Sequence, residues 1–226
     1  MTENWAVIPV KGLTESKTRL SAYLQADKRR SLVEALLDDV LSSIVRSRVY
    51  GTIMVISPDE NVASGIRLPE VSFLKQTGIG LNRAAEQANR LAALGHATSI
   101  TIVLADIPLV EPGDFKELVS LGSSARRVVM APSMKGGTNV MLTSPPGVVF
   151  PGYGRWSYSK HLRRAQVSGI SAYSLSNSRL SFDIDTMPDL VELKHRDPHG
   201  KTVSGRVASE LGQFPNEAKE PIYSLS

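Results

Sequence analysis

Three aspartates are spaced so that a folded sheet could gather them at one edge. Asp106 directly follows the apolar run at residues 99–105, and Pro108 comes two residues later. Asp183 and Asp185 are separated by one residue, so their side chains would point to the same side of an extended segment. Carboxylates that converge in this way repel one another unless a cation lies among them. Because magnesium is usually held by one or two carboxylates, together with water and substrate phosphates, the set favours a magnesium site.

Each of these aspartates also has an ordinary structural interpretation. Asp106 could belong to a turn or cap a helix. Asp185 could begin a helix as its N-cap, with Asp189 adding favourable charge in the first turn. The metal interpretation therefore depends on the three aspartates together and on no single one of them.

Cations and glycines in the chain could bind a phosphorylated ligand. Lys11 and the segment at 17–21 (KTRLS) follow the first apolar run and would suit a triphosphate, although the chain has no GxxxxGK[ST] phosphate loop. A solvated basic loop is the alternative. The glycine-rich turns at 136–139 and 152–157 would allow a close backbone approach, and amide-rich turns at helix N-termini bind anions. Two ordinary turns would give the same pattern.

Short apolar segments alternate with amphipathic helices along the chain. This alternation predicts a mostly parallel sheet with helices on both faces, whose ligands lie beyond the carboxyl ends of the strands. The run at 99–105 is the most apolar and is expected in the middle of the sheet. Helices are expected to begin near Asp27, after Gly80, near Ser157 and at the end of 180–190, which is predicted to start as a strand. The other predicted strands are residues 5–10, 51–57, 71–75, 127–131 and 139–143.

Composition limits the classes of function. The 226 residues include no Cys, which excludes Cys-ligated zinc, iron–sulfur clusters and thiol catalysis. The net charge of +4 favours anionic partners, and with only 6% aromatic residues we expect small phosphorylated ligands rather than nucleic acid. No apolar run approaches the ~20 residues that span a bilayer, and the polar N-terminus is unlike a secretory signal. We therefore expect a cytoplasmic protein without membrane partners.

Seven short motifs follow one another in a fixed order. They are IPVK (8–11), KTRLS (17–21), LN (81–82), LADIPL (104–109), GGTN (136–139), YGxxSxxxH (153–161) and FDIDTxxDL (182–190). No motif is specific alone, but their order and joint presence resemble the 2-phospho-L-lactate guanylyltransferase family, which includes bacterial relatives that use phosphoenolpyruvate. The resemblance runs from about residue 5 to residue 195.

This resemblance implies a fold and a reaction. The fold would be nucleotide-diphosphosugar transferase-like, a three-layer α/β sandwich with a central, mostly parallel mixed sheet. A single domain would span residues 1–212, followed by a polar tail at 213–226, and a homodimer is expected. The reaction would transfer GMP from GTP to 2-phospho-L-lactate in deazaflavin coenzyme biosynthesis, giving lactyl-2-diphospho-5'-guanosine and pyrophosphate.

The resemblance also implies roles for individual residues. Magnesium would be held by Asp106, Asp183 and Asp185. The phosphorylated acid would be bound by Thr138, Gly154 and Ser157, with the backbone amide of Ser157 offered to its anionic groups. The nucleotide would be bound by Lys11, Lys17, Arg19 and Asn82, and the catalytic set would be Lys17, Arg19 and Asp106. One departure from the family is the pair Arg155-Trp156 before Ser157, where smaller residues are common.

Several alternatives remain open from the sequence. The acid could be phosphoenolpyruvate or 3-phosphoglycerate, which differ from 2-phospho-L-lactate by few atoms. A glycosyltransferase of related fold would use an Asp-x-Asp motif such as residues 183–185, and a non-catalytic nucleotide-binding regulator would keep the fold without turnover. A lone helical His is more often structural, so His161 is not placed in the catalytic set.

Overall fold

Seven strands form one sheet in the computed structural model, which describes residues 3–13, 15–122 and 124–211. The strands are β1 (Asn4–Pro9), β2 (Thr52–Ser57), β3 (Val71–Lys75), β4 (Ser99–Val103), β5 (Arg127–Pro132), β6 (Thr138–Ser144) and β7 (Ser171–Ser174). Their order across the sheet is β3-β2-β1-β4-β6-β5-β7. Only β6 runs against its neighbours β4 and β5, while every other pair is parallel. The prediction of a mostly parallel mixed sheet is confirmed.

Helices cover both faces of this sheet. They are α1 (Ala26–Ser47), α2 (Asn61–Gly65), α3 (Leu81–Leu94), α4 (Pro112–Ser120), α5 (Ser157–Val167), α6 (Met187–Arg196) and α7 (Val203–Glu210), with a short 3-10 helix at Thr18–Leu20. Apolar side chains of α1 and α4 join one core cluster, and those of α3 and α5 join a second cluster on the opposite face. The structure is therefore three-layered, and α1, α3, α5 and α6 lie where the sequence predicts helices.

Strand β4 occupies the centre of the sheet, as its composition predicts. It is fourth in the order of seven, and all five of its residues are buried. On one side of the sheet α3 presents small residues, and Ala84, Ala85, Ala88 and Ala92 are all buried against it. Side chains without bulk let a helix lie close to the strands, which fixes the loop before α3 near the carboxyl ends of the strands.

The prediction that the segment at 180–190 starts as a strand is wrong, although the helix expected at its end is present. The segment has no sheet partner and is held instead by separate hydrogen bonds: the Ile184 amide donates to the Asp106 carbonyl, and the Met134 amide donates to the Ser181 carbonyl. Its alternating pattern has another cause. Phe182 and Ile184 are buried in a third core cluster with residues of α1 and α6, so the aspartates that alternate with them face away from that cluster.

Helices α2 and α4 and strand β7 were not predicted from the sequence. Helix α4 begins with Pro112, and reciprocal hydrogen bonds between Glu111 and Asp114 cap its N-terminus. It is only nine residues long, so it gives no long series of apolar residues at helical spacing. Strand β7 is a half-exposed edge strand of four residues, too short and too polar to give an apolar pattern. The predicted tail at 213–226 lies outside the described residues. No helix in the described part of the chain is long and apolar enough to cross a membrane.

Candidate active site

A cavity of about 770 Å³ opens beyond the carboxyl ends of β1, β2, β3 and β4. Because β1 lies between β2 and β4, the chain reverses its direction across the sheet at this point, which is where open α/β sheets bind ligands. Four of the predicted site residues line the cavity: Lys11, Lys17, Asp106 and Asp185.

The ammonium group of Lys17 lies between two of the predicted metal ligands. Its Nζ is 2.7 Å from Asp106 Oδ2 and 3.1 Å from Asp185 Oδ1, and the lysine side chain is only 9% exposed. Burial alone would lower the pKa of Lys17, but the two carboxylates raise it above its usual value. The lysine is therefore a fixed positive charge at the wall of the cavity.

The backbone of Lys17 is strained as well. Its φ of 54° and ψ of 38° place it in the left-handed region, directly before the 3-10 helix at Thr18–Leu20. A non-glycine residue in this region costs on the order of 1 kcal/mol or more, and such residues cluster at functional sites because the surrounding structure must hold them. The two ion pairs supply that restraint.

A second lysine, Lys135, joins the aspartates and was not predicted. Its Nζ is 2.8 Å from Asp189 Oδ2, 3.3 Å from Asp183 Oδ2 and 3.9 Å from Asp185 Oδ2. The only signal for it in the sequence is its position immediately before the two glycines of the turn at 136–137. The repulsion expected among the aspartates is thus relieved by two lysines in this structure.

The electrostatic environments of the paired aspartates differ sharply. Burial in the first place, and then the nearby Asp106 carboxylate, raise the pKa of Asp183 to about 6, although Lys135 opposes this shift. For Asp185 burial also acts upward, but Lys17 and Lys135 outweigh it and lower the pKa. Neighbouring lysines thus keep Asp185 charged, whereas Asp183 is the carboxylate whose charge is least compensated.

Helix α6 is capped by Thr186 in reciprocal bonds with Asp189, and not by Asp185. A single oxygen of Asp189 accepts bonds from the backbone amides of Asp185 and Thr186 and from the Thr186 hydroxyl, at 2.8 to 2.9 Å. These contacts cap α6 at its first turn. The carboxylate of Asp185 is consequently left for the lysines and the cavity.

The aspartates offer oxygen atoms that a cation could use. Asp106 Oδ1 and Asp183 Oδ1 are buried and have no hydrogen-bond partner within the described residues. Unpartnered carboxylate oxygens are costly to bury, and hard oxygen donors of this kind suit magnesium. Over the same residues, no three His, Cys, Asp or Glu side chains are grouped closely enough to hold a metal ion by themselves. The donors therefore fit an ion whose shell is completed by water and phosphate.

The remaining predicted cation, Arg19, lies farther from the cavity. Its side chain is 71% exposed, and its Nη1 is 4.0 Å from Asp185 Oδ2. It is not among the residues that line the cavity. A guanidinium so exposed is free to turn towards a ligand, and its role in nucleotide binding stays a prediction.

The three predicted acid-binding residues lie together at the N-terminus of α5, outside the lining of the cavity. The Ser157 hydroxyl donates to Thr138 Oγ1 over 3.2 Å, and both side chains are buried. Gly154 has a φ of 129°, which L side chains rarely adopt, and a Cβ placed on it would meet nothing within 4 Å. Gly154 therefore has a backbone conformation that favours glycine, and the space beside it is open.

The amide expected to bind the acid is already bonded. The Ser157 backbone N–H donates to the Gly154 carbonyl over 3.1 Å, which corrects the expectation that this amide is free for a ligand. The unusual Trp156 has a local packing role, because a Cβ on Gly136 would lie 2.5 Å from the indole ring. The turn at 136–137 and the start of α5 are thus fitted to each other.

Asn82 supports this same region. Its side-chain oxygen accepts a bond from the Tyr153 amide at 2.7 Å, and its side-chain nitrogen donates to the Tyr153 carbonyl at 3.1 Å. Both ends of the carboxamide are therefore used to hold the loop that carries Gly154. A contact between Asn82 and the nucleotide stays a prediction.

His161 is fully buried beneath the loop. Its Nε2 accepts a bond from the Gly152 amide at 2.8 Å, and its Nδ1 lies 3.0 Å from Thr138 Oγ1. Burial, followed by the positive charges of Arg164 and Lys160, lowers the pKa of His161 to about 4. The imidazole is consequently neutral at physiological pH.

This shift predicts a pH-dependent stability. An unfolded chain binds the imidazole proton with an ordinary pKa of about 6.5, more tightly than the folded one, so stability is lost as the pH falls from about 6.5 to about 4. At about 1.4 kcal/mol per pKa unit, His161 should account for roughly 3 kcal/mol of this loss. Urea unfolding of the wild type and of His161→Asn, each at neutral and acid pH, measures it. Equal losses in both proteins would contradict the prediction.

Comparison with known proteins identifies relatives over most of the chain. A model of the family described as "Guanylyl transferase CofC like" matches residues 4–204. The chain is 35% identical to a phosphoenolpyruvate guanylyltransferase of Sphaerobacter thermophilus over 196 residues, covering 86% of this chain and 94% of that protein. It is 34% identical to a 2-phospho-L-lactate guanylyltransferase of Methanothermobacter thermautotrophicus over 189 residues, covering 83% and 82%.

A solved structure supports the fold independently. A protein of Desulfovibrio desulfuricans G20, described as a nucleotide-diphospho-sugar transferase, matches with a TM-score of 0.74 at 19% identity, covering 93% of this chain and 95% of that one. The fold predicted from the motifs is thereby confirmed. Since the family match also spans the cavity and the N-terminus of α5, the chain belongs to the CofC-like family of guanylyltransferases and is a nucleotidyltransferase.

Proposed function

We propose that this enzyme transfers GMP from GTP to 2-phospho-L-lactate, giving lactyl-2-diphospho-5'-guanosine and pyrophosphate in deazaflavin coenzyme biosynthesis. The observation that carries the proposal is the buried Lys17 held between Asp106 and Asp185 at the wall of a cavity large enough for a nucleotide. A relative of this name, 34% identical over most of the chain, supports the choice of acid.

The reaction needs little acid–base help. A phosphate oxygen of the acid attacks the α-phosphorus of GTP, the new phosphorus–oxygen bond forms, and the bond to the β-phosphate breaks with its electrons leaving on pyrophosphate. Because the second pKa of a phosphate monoester is near ~6, the nucleophile is already mostly ionised at neutral pH. The absence of a required general base agrees with a neutral, fully hydrogen-bonded His161.

The protein's task is then to position two anions and offset their charge. Lys17 presents a fixed positive charge at the cavity wall, and Lys11 lines the same wall. Arg19 reaches the triphosphate from the exposed loop. Magnesium, which Asp106, Asp183 and Asp185 would hold, supplies Lewis-acid stabilisation of the phosphate oxygens when bound.

Binding of the acid is assigned to the N-terminus of α5. Thr138 and Ser157 supply hydroxyl groups there, and Gly154 leaves room beside them. Because the Ser157 amide donates to Gly154 and the Ser157 hydroxyl donates to Thr138, the Thr138 hydroxyl takes the larger share of the contact. The acid would approach the cavity from the side of Lys135, which directly precedes the glycine turn at 136–137 that leads to Thr138.

Phosphoenolpyruvate is the second candidate acid. The specific observation in its favour is the 35% identity to a phosphoenolpyruvate guanylyltransferase over 86% of the chain. The chemistry at phosphorus would be identical, since the same phosphate oxygen attacks. The two candidates differ in the shape of the carbon skeleton, which is tetrahedral at the substituted carbon of lactate and planar in phosphoenolpyruvate.

A pyrophosphate-release screen tests the proposed function. Each nucleoside triphosphate is paired with 2-phospho-L-lactate, phosphoenolpyruvate and 3-phosphoglycerate in the presence of magnesium. We expect release only with GTP, and fastest with 2-phospho-L-lactate. Turnover of a nucleotide sugar to a free nucleoside diphosphate would favour a glycosyltransferase, and GTP binding without turnover of any acid would favour a regulator. The cytoplasmic location, the homodimer and the lack of a nucleic-acid partner stay predictions.

Replacing one cavity carboxylate tests the charged site. Asp106→Asn keeps the side-chain volume but removes one partner of Lys17 and one expected magnesium ligand. Loss of a few kcal/mol of electrostatic stabilisation should reduce kcat/KM by ~100-fold or more. Asp27→Asn, at an exposed position in the first turn of α1, is the matched control and should stay close to wild type. Near-normal turnover of Asp106→Asn would exclude this role.

The exposed guanidinium gives a separate test. Arg19→Ala should raise the KM for GTP more than the KM for the acid, with little change in Tm, because the side chain is mostly in solvent. Arg19→Lys should restore GTP binding only in part, since the bidentate fork is lost. Arg46→Ala, at an exposed position near the end of α1, serves as the charge-matched control. An equal rise in both KM values would argue against a role with the triphosphate.

A further inference from the structure

A buried chain of hydrogen bonds runs from the loop at Gly152 to the hydroxyls at the start of α5. His161 is its centre: Nε2 faces the Gly152 amide at 2.8 Å, and Nδ1 faces Thr138 Oγ1 at 3.0 Å. The ring also packs edge-on against Tyr153, with 5.2 Å between the ring centroids. Both nitrogens have partners, so the imidazole cannot turn over without losing two hydrogen bonds.

The partners determine which nitrogen carries the proton. A backbone N–H can only donate, so Nε2 must present its lone pair to Gly152. A neutral imidazole holds one proton, which is then on Nδ1 and points at Thr138. An imidazolium would place an N–H against the Gly152 N–H, and Arg164 and Lys160 on the same helix oppose it further. The geometry therefore allows one tautomer.

This tautomer sets the direction of the Thr138 hydroxyl. Its oxygen accepts one bond from His161 Nδ1 and a second from the Ser157 hydroxyl. A hydroxyl oxygen has two lone pairs and one proton, so both lone pairs are now used. The proton of Thr138 has no acceptor among the described contacts, and a bound anion would supply one.

We propose that His161 is a positioning residue of the acid site, which holds the Thr138 hydroxyl as a donor towards an anionic oxygen of the phosphorylated acid. The inference rests on the proposed function, because it assigns the acid to this end of α5. It goes beyond that function by giving a role to a residue that does not touch the substrate. Open space beside Gly154, where an added Cβ would meet nothing within 4 Å, leaves room for the ligand.

Two substitutions of His161 separate positioning from packing. In Asn the amide nitrogen is attached where Nδ1 is attached in His, so His161→Asn keeps a donor for Thr138 and loses the acceptor for Gly152. In Gln the terminal atoms are one bond farther out, so His161→Gln keeps an acceptor for Gly152 and loses the donor. A purely structural role has no reason to favour Asn over Gln.

Steady-state kinetics give the readout. A lost hydrogen bond to a charged group corresponds to ~10-fold or more, so His161→Gln should raise the KM for the acid by at least ~10-fold and leave the KM for GTP nearly unchanged. His161→Asn should stay within ~3-fold of wild type for both substrates, since its donor is retained. Thr138→Val should match His161→Gln, and the double variant should lose no more than either single one. Additive losses would overturn the proposal.

The tautomer of His161 in the wild type is a second readout, which does not depend on catalytic activity. A long-range proton–nitrogen correlation spectrum of the wild type should show one imidazole as the Nδ1–H tautomer at neutral pH. The chain has four His, so the signal that is missing from His161→Asn identifies the residue. An Nε2–H tautomer or an imidazolium at His161 would overturn the proposal.

The outcomes for the two proposals differ. If the wild type releases no pyrophosphate with any acid, the proposed function fails. If the wild type turns over an acid but His161→Gln keeps its KM for that acid, the positioning role fails and the proposed function stands. A rise in both KM values for Asn and Gln alike assigns His161 to packing.

Discussion

The ion pairs of one buried lysine hold the site together. Lys17 belongs to the loop after β1, Asp106 to the end of β4, and Asp185 to the segment before α6, so its ammonium joins three distant parts of the chain. A charge that is 91% removed from solvent is tolerated only when it is paired and hydrogen-bonded. The same contacts hold the left-handed backbone of Lys17, so folding and site charge depend on one arrangement.

The sheet explains why these groups meet. Strands β1 and β4 are parallel neighbours, so their carboxyl ends, and the residues that follow them, lie side by side. The third partner is brought in by packing: Phe182 and Ile184 are buried among apolar residues of α1 and α6, and the Ile184 amide bonds to the Asp106 carbonyl. Asp183 and Asp185, which alternate with these two apolar residues, are thereby turned towards the lysines.

The turn between β5 and β6 links the cavity to the start of α5. Lys135 on one side of the turn pairs with the aspartates, while Thr138 on the other bonds to His161 and Ser157. Between them the indole of Trp156 packs against Gly136, where any side chain would collide with the ring. A shift of this turn would therefore move both Lys135, near the phosphates, and the hydroxyls assigned to the acid. The nucleotide cavity and the proposed acid site are coupled in this way.

The sequence by itself determined strands β1 to β6, helices α1, α3, α5 and α6, the central position of β4 and the family, because apolar periodicity, glycines at helix ends and ordered motifs are local properties of the chain. It also identified the three aspartates as candidate metal ligands and Lys17 as a candidate phosphate-binding residue. Only the tertiary structure decided how they are paired. The ion pairs of Lys135, the bonds of Asn82 and the non-strand path that begins at residue 180 all depend on contacts between residues far apart in the chain, which form when the helices pack on the sheet and which no local pattern encodes.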